Sequence, residues 1–300
     1  MIDYAILSAV WGVSFAVLLK AVQAFGWAGA VTFRCLLAGT LLLAIAAATR
    51  RRLDFSVGWW PFAVVGATTV AGQLVGMSFA IPRIGSAMSA IFVGTIPLFT
   101  MVIGWLWGLE QVTSAGVLGL ALGFGGVVLL VGFPAVPFTG SFVLGCIGSL
   151  IAAVSAAFGS NYARGRLRAV RSWEVTAGAF LFGGVLTLPL LVAVPVPTVP
   201  RLVDYGYLLV LGGLVSALAY VLYFRLVADL GATRAISVEF VVTAIAVIIG
   251  SLLLDERLSV WQLVGAAVIV AGCSLVIGLF PWRRTSSPSP PSPPDRNARS

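Results

Sequence analysis

Histidine is absent from this chain, and cysteine occurs only three times in 300 residues. Without an imidazole there is no histidine-based metal site and no histidine acid–base pair. Cys35, Cys146 and Cys273 each sit inside an apolar run. They read as small packing residues and offer no disulfide framework. Charge is scarce as well. Asp, Glu, Lys and Arg make up 9% of the chain, against about 25% in a soluble domain. So few charges cannot cover a surface in water. The sequence also holds no metal-ligand cluster and no G-x-x-x-x-G-K-[ST] phosphate loop. No cofactor is expected, and an enzyme would lack its catalytic constellation.

What the chain has instead is apolar length. Hydrophobic residues make up 60%, and the mean hydropathy is +1.08. The apolar runs are continuous, not alternating, so spanning helices fit better than barrel strands. In lipid a helix satisfies its own backbone hydrogen bonds. The net charge of +8 does not mark a nucleic-acid surface, because the arginines fall in short clusters between the runs.

Ten runs approach the roughly 20 residues that a span needs. They cover 4–23, 27–48, 59–80, 86–108, 113–132, 141–163, 173–193, 205–228, 232–253 and 261–281. Pro82, Pro134, Pro137 and the PVPTVP run at 195–200 are expected to mark turns. The N-terminus has no basic residue before its apolar run, so it reads as an uncleaved first helix. With that end in the cytoplasm, the cytoplasmic loops hold Arg50, Arg51, Arg52, Arg164, Arg166, Arg168, Arg171, Arg234, Arg283 and Arg284. The opposite side holds Lys20, Arg83, Arg201 and Arg257. This bias puts both termini inside. Trp27, Trp59, Trp60, Trp173, Trp261 and Trp282 fall near run ends, where indole favours the membrane interface. The Pro- and Ser-rich tail at 285–300 has the composition of a disordered cytoplasmic segment.

One cadence occurs twice. Glu110, Gly119 and Gly126 are matched by Glu256, Gly265 and Gly272, at an offset of 146 residues (256 minus 110). The same gap-free offset pairs Gly66 with Gly212, Ala71 with Ala217 and Gly85 with Gly231. This is an internal repeat of five helices, 1–135 and 136–284. An odd number of spans turns the second copy upside down relative to the first. Inverted repeats of this kind build secondary transporters, with the substrate site between the halves.

WGVSFA at 11–16, an arginine within the second run (Arg34), a proline inside the fourth (Pro97) and the two Glu-containing junctions carry a resemblance. The chain resembles the EamA-type members of the drug/metabolite transporter superfamily over about residues 4–281. The resemblance implies a ten-helix exporter or facilitator of amino acids, metabolites or drugs. It also implies a central cavity among helices 1, 3, 4, 6, 8 and 9. The second copy departs from the pattern, since Thr243 stands where Pro97 repeats.

The expected substrate contacts are Trp11, Ser14 and Phe15 on one face of helix 1, together with Gln73, Pro97, Ser155, Asn161, Tyr162, Tyr220, Tyr223 and Glu239. Glu239 is an ionisable group at membrane depth, expected to serve as a cavity carboxylate, as the partner of Arg225, or as both. Arg34 either attracts anions or holds carbonyls, and it is grouped with Arg225 as an intramembrane structural charge. Gly72/Gly76 and Gly119/Gly123 form G-x-x-x-G pairs that suit close packing within the bundle or between protomers of a homodimer. Glu110 and Glu256 are expected to cap helices 5 and 10. The function expected is a secondary transporter, an exporter of small organic solutes working by alternating access in a bacterial inner membrane. Its partners are a small-molecule substrate and the lipid bilayer. A channel, a structural scaffold and a membrane enzyme are the alternatives.

Overall fold

The computed structural model describes residues 2–109, 113–132, 137–197, 199–236 and 238–277. Glu110, Pro134, Trp282, Arg283, Arg284, the 285–300 tail and the side chain of Arg234 lie outside the described residues. All regular structure among the described residues is helical. The first copy comprises α1 (Ile2–Ala48), α2 (Trp60–Val65), α3 (Gln73–Ile84), α4 (Ser86–Val93), α5 (Ile96–Leu106) and α6 (Ser114–Gly132). There follow α7 (Gly140–Arg166), α8 (Ser172–Thr187), α9 (Leu190–Ala193), α10 (Leu202–Leu209), α11 (Ala219–Leu230), α12 (Ala232–Ala235), α13 (Val238–Leu253) and α14 (Val260–Ile277). Seven stretches are long and apolar enough to cross a membrane, and Val238–Leu253 and Val260–Leu275 are shorter apolar helices.

Three kinds of interruption shape these helices. Gly26, at φ 72° and ψ 163°, divides α1 into two helices. Only a residue without a side chain adopts that conformation at little cost. Next, Gly66–Gly72 joins α2 to α3 and Val210–Leu218 joins α10 to α11 as π-wound turns. Finally, the fourth expected helix breaks between α4 and α5, and the ninth between α12 and α13. Pro97 accordingly sits in the first turn of α5, not mid-helix. There its missing N–H costs least. Pro82 does not end its helix as expected. α3 runs through it to Ile84 and stops at Gly85, at φ 83°. A proline so near a C-terminus removes a single internal hydrogen bond.

The 146-residue offset recurs in the architecture. α3 starts at residue 73 and α11 at 219, and α6 starts at 114 and α14 at 260. The two π-wound turns also coincide in this register. The doubled cadence becomes a packing seam. A Cβ on Gly126 would come within 2.7 Å of the Gly265 carbonyl oxygen, and one on Gly265 within 2.7 Å of that of Gly126. One on Gly272 would meet the Gly119 carbonyl oxygen at 2.5 Å. Residue 119 thus lies by 272 and 126 by 265, so α6 and α14 run antiparallel. The offset itself exchanges these pairs. The other G-x-x-x-G pair also packs inside the chain, since a Cβ on Gly76 would meet the Gly148 carbonyl oxygen at 2.5 Å. Small residues bring backbones together where lipid gives apolar contact no advantage.

Glu256 does not cap helix 10. Ser259 does: its hydroxyl accepts from Gln262 N at 3.1 Å, and Gln262 Oε1 accepts from Ser259 N at 2.8 Å. This reciprocal S-x-x-Q pair satisfies two N–H groups at once and is readable in the sequence. Its repeat counterpart Thr113 accepts from Gly116 N at 3.1 Å.

The seam yields a stability prediction. Gly126→Leu and Gly265→Leu each lower the stability of the purified protein in detergent by about 1–3 kcal/mol, the usual cost of overpacking. Gly125→Leu, whose Cβ meets nothing within 4 Å, melts with the parent protein in the same thermal scan.

Candidate functional site

The interrupted helices surround a buried cavity. The first half of α1 contributes Trp11, Ser14, Phe15 and Leu18, a stripe at helical spacing, and its second half contributes Arg34. α3 adds Gln73, Leu74 and Met77, and α4 ends on the cavity at Val93. From the other copy come Val215 in the π-wound turn, Tyr220 on α11, and Glu239 and Val242 on α13. The space open to the centres of water-sized molecules is about 30 Å³. That holds a water or two, far less than the roughly 300 Å³ or more of a site closed around a metabolite.

The polar groups are fixed by long-range bonds. The Trp11 indole donates to the Val215 carbonyl at 3.2 Å, and Arg34 Nε donates to Ser216 Oγ at 3.0 Å. Both bonds end on consecutive residues of one π-wound turn. π-turns are rare in helices and cluster at functional sites. The Trp11 ring lies 5.2 Å from Tyr220 and 5.3 Å from Tyr223. Tyr220 donates to Gln73 Oε1 at 3.4 Å, tying α11 to α3. Ser14 Oγ donates to the Trp11 carbonyl at 2.7 Å, so its proton stays within α1.

Glu239 lies four residues past the end of α12, in the first turn of α13 and 2% exposed. The helix break places it at a positive helix end, which suits a carboxylate. Among the described residues its carboxylate makes no hydrogen bond or ion pair, and it borders the cavity. The expected pairing with Arg225 does not form. The Arg225 side chain is 62% exposed and meets Asp3 at 3.6 Å and Asp229 at 3.9 Å instead.

Five expected residues lie outside the cavity. Tyr223 is behind it, sharing a 2.6 Å hydrogen bond with Ser160 Oγ. Ser155 packs against Gly72, where an added Cβ would meet its hydroxyl at 2.8 Å. Asn161 and Tyr162 line a separate cleft with Trp107, Leu109, Gly165 and Arg166, and Asn161 donates to the Thr100 carbonyl at 3.0 Å. Pro97 is buried beside the cavity without lining it. Helix 6 of the expected set contributes no lining residue, whereas helix 2 contributes Arg34. Sequence reasoning missed the apolar lining and Ser216. Leu18 was discoverable one turn on from Ser14. Ser216 carried no local signal, since its partner is 182 residues away.

The comparisons with known proteins agree with this architecture. The profile of the EamA-like transporter family matches residues 2–132 and 143–278. The chain is 27% identical over 288 residues to Protein PecM of Dickeya dadantii (strain 3937), covering 93% of each. It is 30% identical to the uncharacterized transporter YvbV of Bacillus subtilis (strain 168), covering 91% of this chain and 89% of YvbV. It is 28% identical to the uncharacterized inner membrane transporter YedA of Escherichia coli (strain K12), covering 93% and 92%. A solved crystal structure at 19% identity superposes over 92% of this chain and 96% of its own with a TM-score of 0.65, a likeness of fold alone.

The bonding pattern separates the two arginines. Arg225→Ala shifts the thermal midpoint little, because exposed ion pairs contribute about 0.2–1 kcal/mol. Ser216→Ala, which strips a buried guanidinium of its acceptor, costs about 1–3 kcal/mol. Parallel thermal melts of the two variants check the contrast.

Proposed function

We propose, for a chain that belongs to the EamA-like transporter family, that it is a ten-span secondary carrier exporting small organic solutes by alternating access. Counting α1 as two spans and adding the two shorter apolar helices to the remaining six long stretches gives ten. On this reading residues 1–135 and 136–284 are the two copies of an inverted repeat. The antiparallel α6–α14 seam supports that symmetry. Two similar halves of opposite orientation give two states of similar energy, one open to each side. The arginine bias favours both termini in the cytoplasm of a bacterial cell, in the inner membrane.

The observation that carries the reading is the cavity itself. It is bounded by both halves of the chain, offers about 30 Å³, and holds a carboxylate that has no partner among the described residues. A buried charge left unpaired in a membrane protein is costly, and such groups mark substrate or ion paths. Glu239 would bind a cationic group of the solute or a proton. Trp11, Phe15 and Tyr220 would face its apolar part, and Arg34 would face a group of opposite charge. A constriction this small, lined by groups from two halves, fits an occluded carrier better than an open pore.

An efflux screen of amino acids and drugs in a sensitised host identifies the transported solute, and counterflow in proteoliposomes then tests the mechanism. Solute on the far side accelerates uptake through the parent protein, and Glu239→Gln lowers that rate at least about tenfold, the scale of one lost charged contact. A Glu239→Gln protein that transports at the parent rate, with the same response to pH, removes the carboxylate from the mechanism. Reporter fusions that place the two termini on opposite sides of the membrane remove the ten-span topology.

A further inference from the structure

Glu256 is left free by the helix it precedes, because Ser259 and Gln262 already cap α14. Its carboxylate reaches instead to the first turn of α4, about 170 residues earlier. Oε1 accepts from the backbone N–H and the hydroxyl of Ser86, and Oε2 accepts from the backbone N–H of Ala87, each at 2.7 Å. An anion on the positive end of a helix, holding three donors, is a strong arrangement. Two glycines make room for it. Gly85 has φ 83°, and a Cβ there would lie 3.2 Å from the carboxylate. A Cβ on Gly250 would lie 2.8 Å from Oε2 and 2.8 Å from the Ala87 Cβ.

This contact is the surface end of a longer seam. Deeper in, Thr243 Oγ1 on α13 donates to the Ala90 carbonyl on α4 at 3.0 Å. A Cβ on Gly94 would meet the same hydroxyl at 3.0 Å. At its inner end α4 finishes at Val93 and α13 begins beside Glu239, and both residues line the cavity. The line between α4 and α13 therefore runs from the cavity to the face that carries Gly85 and Glu256. It joins one copy of the repeat to the other.

We propose that Glu256 is the latch of a gate at this seam, holding the cavity shut toward its own face until transport releases it. The proposal rests on the alternating-access reading above. Glu256 is only half-buried, so water can take over its hydrogen bonds as the helices part. That makes the contact reversible, where a fully buried carboxylate would not be. The deeper Thr243 contact is neutral, so the Glu256 contact is the charged tie of this seam.

A single cysteine at Leu18, in a chain carrying C35A, C146A and C273S, reports access to the cavity. It is labelled by a membrane-impermeant maleimide applied to either face of oriented vesicles. Glu256→Gln raises labelling from the Glu256 face about tenfold, the scale of a lost charge-assisted bond. Gly250→Ala, which pushes a methyl against Oε2, does the same by an independent route. Labelling of both variants at the parent rate overturns the latch while leaving the carrier reading intact. If the parent is labelled freely from both faces at once, the protein is a pore, and the carrier reading and the latch both fall.

Discussion

A backbone polar group in lipid has no water to fall back on, and this constraint organises the molecule. An unbroken helix meets it without help. This chain breaks its helices repeatedly, and nearby groups take up the exposed polar atoms. The carbonyl of Gly94, beside the α4–α5 break, accepts from Cys273 Sγ at 3.2 Å. The Val215 carbonyl in a π-wound turn takes the Trp11 indole. The first turn of α4 takes Glu256. Irregular backbone at membrane depth is tolerated where protein or a cavity receives it. These interruptions therefore create ties between distant segments, and the Trp11–Val215 tie borders the cavity.

Close approach of helices is the second requirement, and glycine supplies it. Burying Leu against Leu gains little when lipid is just as apolar. Contact must come from fit, and α6 and α14 achieve it by presenting backbone to backbone at Gly119, Gly126, Gly265 and Gly272. The cadence that repeats in the sequence is thus explained by packing. It marks the place where α6 and α14 meet, away from the cavity.

Charges divide by the same logic of solvent. Arg225 and Asp229 reach the surface, where a pair is cheap and weak. Arg34 is 2% exposed and keeps a hydroxyl acceptor, while Glu239 has no partner among the described residues. Their shared position on one cavity, without pairing to each other, is what distinguishes the site from an ordinary buried ion pair. The groups are held by elements from both halves of the chain.

The positions of the apolar runs, the 146-residue repeat and the candidacy of Trp11, Phe15, Gln73, Tyr220 and Glu239 could all be read in the sequence. Hydropathy and periodicity are local properties of the chain, and they fix the segments that seek lipid. The helix breaks were less legible, because Pro97 tolerates a first-turn position as readily as a kink. The sequence left open whether Glu239 faced Arg225 or the cavity, and how Glu256 would be used. Those choices depend on which way each helix is turned and on neighbours 150 to 200 residues away. Only the packed bundle, satisfying all its polar groups at once, decides them.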